Sequence, residues 1–284
     1  MTKLEHHSAD LKRTRLHYVT AGDGDPVVLL HGWPQTWYSW RKVIPLLAGR
    51  YRVIAPDMPG LGDSSPPDGG YDKKTIAGDI WEFAHNHLGL ARFFLVGHDW
   101  GGPVAYRVAA GHPDAVRALA ILDVVIPGDG GDGFSQGGRR WHHAFHQATE
   151  LPETLIEGRE REYLSWFWRN YTSAPGAVTE DDMDEYMRTY GRPGAMQTWL
   201  AYYRALPQDI ADNLEVAKTR KLEMPVLALG GDGLWARKTE PVESLRRVAD
   251  TVSGGVVPGS GHNIPEEQPT ILADHLITLL ESAA

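Results

Sequence analysis

The stretch Val96-Gly97-His98-Asp99-Trp100-Gly101-Gly102 sets one carboxylate between glycines two positions away on either side. An apolar, strand-like run at 93–96 precedes it, and a helical pattern at 102–111 follows. That is the context of a nucleophile elbow, a strained strand-to-helix turn that needs small flanking residues and projects its central side chain. The projection occurs at the carboxyl end of a sheet, where ligands of α/β folds bind. Asp99 could instead serve only as a helix N-cap, but its placement favours covalent chemistry. A hydroxyl nucleophile must consume a histidine as its base. A carboxylate is already ionised at neutral pH, so it can attack a saturated carbon directly and be left as an alkyl ester.

Such a centre needs a base for the second step, an acid behind that base and donors for an oxyanion. Gly259-Ser260-Gly261-His262-Asn263 falls between the last strand pattern and the last helical pattern, which makes His262 the expected base. Early in the chain, His31-Gly32-Trp33-Pro34 follows the apolar run 27–30. Pro34 has no N–H and shapes the loop. The expected oxyanion donors are the backbone amides of Trp33 and Trp100. The acid has two candidate positions, Asp123 after the strand pattern 118–122 and Asp232 after 226–229. His31 and His98 lie within the motifs and read as structural.

These residues must be carried by alternating strands and helices. Strand patterns occur at 27–30, 51–55, 93–96 and 118–122, with helical patterns at 40–50, 73–87 and 102–111 between and after them. Repeated β-then-α units predict a parallel sheet covered on both faces. The alternation breaks after Pro127. Helical patterns alone fill 141–147, 152–171, 179–190 and 194–205, a stretch holding four of the ten Trp: Trp141, Trp166, Trp168 and Trp199. Strand and helix then resume at 226–229, 240–249, 255–257 and 269–280. The expected organisation is therefore an α/β core over 1–126, a helical cap over 127–213 and the rest of the core over 214–284.

Composition narrows the function further. The 284 residues carry a formal charge of −9, which argues against nucleic acid or an anionic membrane as partner. Cysteine is absent, so disulfide and thiolate chemistry are excluded. No basic-then-apolar leader opens the chain and no apolar run has spanning length, so a cytoplasmic protein is expected. Gly128-Asp129-Gly130-Gly131-Asp132-Gly133 lacks the alternating acids and distal Glu of a calcium loop and reads as a hinge. No cofactor and no metal are expected.

The set HGWP, DMPGLGDS, GHDWGG and a late GSGH resembles the α/β-hydrolase fold and, within it, the epoxide hydrolases and dehalogenases. The resemblance covers nearly the whole chain, and Asp in the elbow is specific to that branch. The segments WHHAF and YYRALP further resemble Cif-type epoxide hydrolases and fluoroacetate dehalogenases. By that resemblance the relay acid is Asp123 rather than Asp232. The resemblance also implies a proton-donor pair for the alkoxide that epoxide opening leaves, Tyr203 with His142, and His143 or His146 as substitutes for His142. The expected substrate is a small, neutral, mostly apolar epoxide, with water as second reactant. The oligomeric state is left open, a homodimer included.

Two other readings compete. A haloalkane-type dehalogenase would use the same nucleophile, with the Trp100 indole offered to halide. The Asn that haloalkane dehalogenases carry in HG-x-P is Trp33 here, and the two arginines of fluoroacetate dehalogenases are Trp100 and Pro103. A binding protein on the same fold would be expected to lose His262 or the acid, and both are kept.

Overall fold

The computed structural model describes residues 3–131 and 133–283; Asp132, in the glycine-rich loop, lies outside the described residues. Eight strands form one sheet in the order β1-β2-β4-β3-β5-β6-β7-β8. They are β1 (Glu5–Asp10), β2 (Arg15–Ala21), β3 (Asp25–Leu30), β4 (Tyr51–Pro56), β5 (Phe93–His98), β6 (Val116–Leu122), β7 (Val226–Gly231) and β8 (Val252–Val257). The pairs from β4 through β8 are parallel, while β1 and β2 run antiparallel at one edge. Every residue of β5 and β7 is buried, as expected of central strands covered on both faces.

Two apolar cores flank the sheet. One packs α2 (Lys73–Trp81) and α3 (Gly101–Gly111) through Ile76, Ile80, Val104 and Val108. The other packs α1 (Ile44–Leu47) and the C-terminal helix α12 (Pro269–Ser282) through Ile44, Leu47, Leu272 and Leu276. Helix α2 starts cleanly because the Asp72 side chain accepts the Thr75 N–H. Between α12 and β7 the chain forms α10 (Glu240–Val248) and the short α11 (Ile264–Glu267). Among the described residues no helix is long and apolar enough to cross a membrane.

Among the described residues six α-helices lie between β6 and β7: α4 (His142–Gln147), α5 (Leu151–Ile156), α6 (Glu160–Tyr171), α7 (Glu180–Tyr190), α8 (Ala195–Arg204) and α9 (Leu206–Thr219). The helix expected at 152–171 is broken, because Gly158 adopts a positive φ of 75° between α5 and α6. Helix α9 runs through residue 213, where the core was expected to resume. The helix expected over 40–50 is a 3-10 turn, Trp37–Trp40, followed by the single turn of α1. The β1–β2 hairpin carries no sequence signal comparable to the central strands: β1 reads EHHSAD and is mostly exposed.

Candidate active site

The elbow lies at the carboxyl end of β5, between the ends of β3 and β6. Asp99 adopts φ 49°, a conformation that side chains with a Cβ rarely take. Its neighbours make that turn feasible. A Cβ on Gly97 would collide with the Gly101 carbonyl, and one on Gly32 would collide with the Asp99 side chain. Glycine is therefore required on both sides of the carboxylate, within the elbow and across from it.

The Asp99 carboxylate is held from two directions. Its Oδ1 accepts the Trp33 N–H at 2.9 Å, and its Oδ2 lies 3.4 Å from His262 Nε2. Burial works against its ionisation, but hydrogen bonding and charge from His262, then His98 and the Trp33 amide, hold its pKa well below the usual carboxylate range. It is thus an anion throughout the neutral range. The second expected oxyanion donor, the Trp100 amide, follows Asp99 directly at the start of α3.

Asp123, at the end of β6, is the acid on His262: Oδ2 is 2.7 Å from Nδ1. It too has a positive φ, 47°. Its Oδ1 accepts the backbone N–H groups of Gly231 and Arg237, each at 2.9 Å, so the fully buried carboxylate has donors on both oxygens. Burial opposes its charge, yet His262, the Arg140 guanidinium and the Arg237 amide depress its pKa. Asp232, the alternative acid, is not on His262. Its carboxylate accepts the Gly259 and Ser260 N–H groups at 3.0 and 3.2 Å, which ties down the loop that carries the histidine. His262 is itself desolvated, but the bonds to Asp123 and Asp99 outweigh burial and raise its pKa.

The motif histidines His31 and His98 brace the loops. His31 Nδ1–H donates to the Gly32 carbonyl at 2.9 Å, and its Nε2 accepts the Met58 N–H at 3.0 Å. Together these bonds join the HGWP loop to DMPG. His98 Nε2 contacts the His262 carbonyl at 2.8 Å, and burial pushes its pKa down to about 4.

The helical insert supplies the opposite wall. A narrow pocket is lined by Asp99, His262 and Trp33 from the core and by His142, Tyr171 and Tyr203 from the insert. Tyr203 is buried, and burial followed by the nearby Asp99 charge pushes its phenol well above its ordinary pKa. It therefore keeps its proton until a strong base appears. His142 is pushed well below its ordinary value by burial, then by His143, His146 and Arg140, so it is neutral and can donate one N–H. Its expected substitutes point elsewhere. His143 Nδ1 meets Ser135 Oγ at 3.1 Å, and His146 Nε2 meets the Tyr163 hydroxyl at 2.6 Å.

Two polar residues of the pocket, Tyr171 and Arg140, escaped the sequence reading. Tyr171 closes α6, places its hydroxyl 3.4 Å from His142 Nδ1 and packs edge-on to His262. Arg140 lines the same pocket, with its guanidinium 3.9 Å from the Asp123 carboxylate. Neither stands in a motif, and only the return of the insert over the sheet brings them in. Below Trp100, the Lys73 ammonium sits 3.9 Å from the indole centre and 2.9 Å from the Asp209 carboxylate. This buried pair joins α2 to α9.

A metal would need carboxylates or imidazoles free to ligate it. Among the described residues, His17, Asp57 and Asp63 come near enough to one another. Their ligand atoms are otherwise engaged. Asp57 accepts the Trp37 and Asp63 N–H groups and pairs with His17, while Asp63 is bound by Arg188 and Arg192. These contacts shape the DMPGLGD loop.

The chain is similar to known proteins along nearly its whole length. A family model described as alpha/beta hydrolase fold matches residues 25–269. A soluble epoxide hydrolase of Corynebacterium sp. (strain C12) is 41% identical over 280 residues, 96% of each chain. The crystal structure of Cfl2 from Burkholderia cenocepacia superposes with a TM-score of 0.90 at 42% identity, covering 97% of this chain and 95% of that one. The structure titled epoxide hydrolase CorEH without ligand gives 0.89 at 39% identity, over 99% of this chain and all of its own. The protein belongs to the α/β-hydrolase family and is a hydrolase.

Proposed function

We propose that the protein opens a small, mostly apolar epoxide to a vicinal diol through an ester on Asp99. One observation carries this reading. The Asp99 carboxylate lies between the Trp33 amide and His262, in a pocket whose far wall holds Tyr203 and His142. An anionic nucleophile and an O–H donor thus face each other across the space an oxirane would fill.

In the first step an Asp99 oxygen attacks an epoxide carbon and the ring C–O bond breaks. The Tyr203 hydroxyl gives its proton to the departing oxygen, and His142 donates a hydrogen bond to it. In the second step His262 takes a proton from water, and the hydroxide adds to the Asp99 carbonyl carbon. The Trp33 and Trp100 amides stabilise the oxyanion, with a contribution of about 3–4 kcal/mol for such a donor in a measured case. Collapse frees the diol, whose second hydroxyl takes the proton left on the intermediate. His262 returns its proton to the Tyr203 phenolate, and Asp123 stabilises the imidazolium meanwhile. The insert acts as a cap that keeps bulk water from the ester.

The similarity to a soluble epoxide hydrolase along nearly the whole chain supports the same substrate class. Halide displacement would leave Tyr203 and His142 without a task, since halide needs no proton. The decisive test is His262→Gln. The variant should react once and stop, with one substrate mass added on the peptide containing Asp99. An unmodified variant, together with a single wild-type turnover in ¹⁸O-water that labels only the diol and not the Asp99 carboxylate, would make Asp99 a general base and overturn the reading.

A further inference from the structure

Lys73 is wholly buried, and none of the steps above uses its charge. It opens α2, and its side chain reaches Trp100, the residue after the nucleophile. An ammonium has three N–H donors, and three acceptors surround this one. They are the Asp209 carboxylate at 2.9 Å, the Tyr202 carbonyl and the face of the Trp100 indole, whose centre is 3.9 Å away. Burial lowers the pKa of the ammonium, and Asp209 opposes that. The charged form is the one these surroundings satisfy.

The same indole meets the proton donor. The Trp100 and Tyr203 rings stand at 81° with centres 4.9 Å apart. The Trp100 indole N–H is buried and has no hydrogen-bond partner among the described residues. A donor left unpaired in this way is costly to the resting protein. Burial, and then the Asp99 charge, push the Tyr203 phenol up, whereas the Trp100 N–H acts in the opposite sense and favours the phenolate. An idle donor therefore stands beside an oxygen that becomes an anion only during reaction.

We propose that Lys73 is a positioning residue for epoxide opening: its ammonium, seated on the Trp100 ring, polarises the indole N–H toward the Tyr203 oxygen and stabilises the phenolate formed there. The proposal rests on the epoxide-opening reading. As the ring C–O bond breaks, the Tyr203 proton moves to the departing oxygen. The negative charge left on Tyr203 accepts the Trp100 N–H, whose proton stays on its nitrogen. A cation held on a ring face is most effective where water is excluded, and donors in series strengthen one another there. The contact gains its strength in the transition state and not in the bound substrate, so it acts on rate rather than on affinity.

The test is a double-mutant cycle read on ester formation with styrene oxide, in quenched single turnovers followed by intact-protein mass. Lys73→Met removes the ammonium and keeps an unbranched side chain. Should that change disturb folding, adding Asp209→Asn removes the partner charge and keeps the oxygen that accepts the backbone N–H of residue 73 at 2.6 Å. Circular dichroism and thermal melts check the fold of each variant. Either variant should slow the limiting rate of ester formation by about tenfold or more and leave the half-saturating concentration unchanged. In a Tyr203→Phe background the same change should cost nothing further, because no phenolate then forms. No loss from removing Lys73, or the same loss in both backgrounds, overturns the proposal and leaves epoxide opening intact. Tyr203→Phe forming ester at the wild-type rate, or wild type forming none, removes the reaction reading on which the proposal rests.

Discussion

The two walls of the pocket are built on different principles. On the core side, polar atoms are held by hydrogen bonds anchored in the backbone. Asp123 has donors on both oxygens, Asp99 is held between an amide and an imidazole, and the loops of His31 and His262 are tied by main-chain groups. On the insert side, rings pack on rings. His146 and Tyr203 are 4.3 Å apart between centres, His142 and Phe167 5.1 Å, and the indole N–H groups of Trp168 and Trp199 have no partner among the described residues. Hydrogen bonds fix position within tenths of an ångström. Ring packing fixes shape but leaves alternative rotations within reach. The core wall should therefore set whether reaction occurs, and the insert wall should set which substrate reacts.

Breaking the core wall should cost most. Asp99→Ala should abolish turnover with the fold retained, since the covalent bond is lost; circular dichroism and product assay together check this. Activity above a hundredth of wild type would remove Asp99 as nucleophile.

Asp123→Asn should come next, with ester breakdown slowed by about 10²–10⁴-fold, the range spanned by lost acid–base assistance and a misoriented triad histidine. Asp232→Asn should act far more weakly, because that carboxylate holds only the loop amides of Gly259 and Ser260. Single-turnover kinetics would distinguish the two, and the reverse order would transfer the relay role to Asp232.

Tyr203→Phe tests the insert wall. Epoxide opening should fall by about 10²-fold, the usual contribution of a general acid. An equal loss with an alkyl bromide would contradict the proton-donor role.

The smallest effect concerns pH. His262 must be neutral to activate water, and Asp123 and Asp99 raise its pKa. Activity should therefore fall as pH drops through that raised value. Asp123→Asn removes the leading upward contribution, so the acid limb of the residual activity should move to lower pH. A limb that stayed in place would assign it to another group.

Much of the core wall was legible in the sequence. GHDWGG needs its glycines because the elbow brings Gly97 against the Gly101 carbonyl, and a residue so constrained leaves a short, local signature. His262 was legible for a similar reason, in a loop between the last strand and the last helix. The insert was readable as helices but not as contacts. Nothing in WFWRNY marks Tyr171 as a neighbour of His262, because ring packing imposes no spacing on the chain. The edge hairpin went unread because its outer strand is mostly solvated and needs no apolar alternation.

The sequence by itself determined the central alternation of strands and helices, the elbow carboxylate, the late histidine and two eligible acids, since each depends on local backbone geometry. The motif resemblance favoured Asp123, and the tertiary structure shows why in physical terms, bringing that carboxylate and not Asp232 onto His262. Asp123 and Asp232 follow neighbouring strands, both at the carboxyl edge, and no local pattern tells which side chain turns toward His262. The pairing of β6 with β7 aims the Gly231 and Arg237 amides at Asp123 and leaves Asp232 to the amides of the histidine loop. The two carboxylates differ in which donors reach them, and those on Asp123 are more than a hundred residues away along the chain.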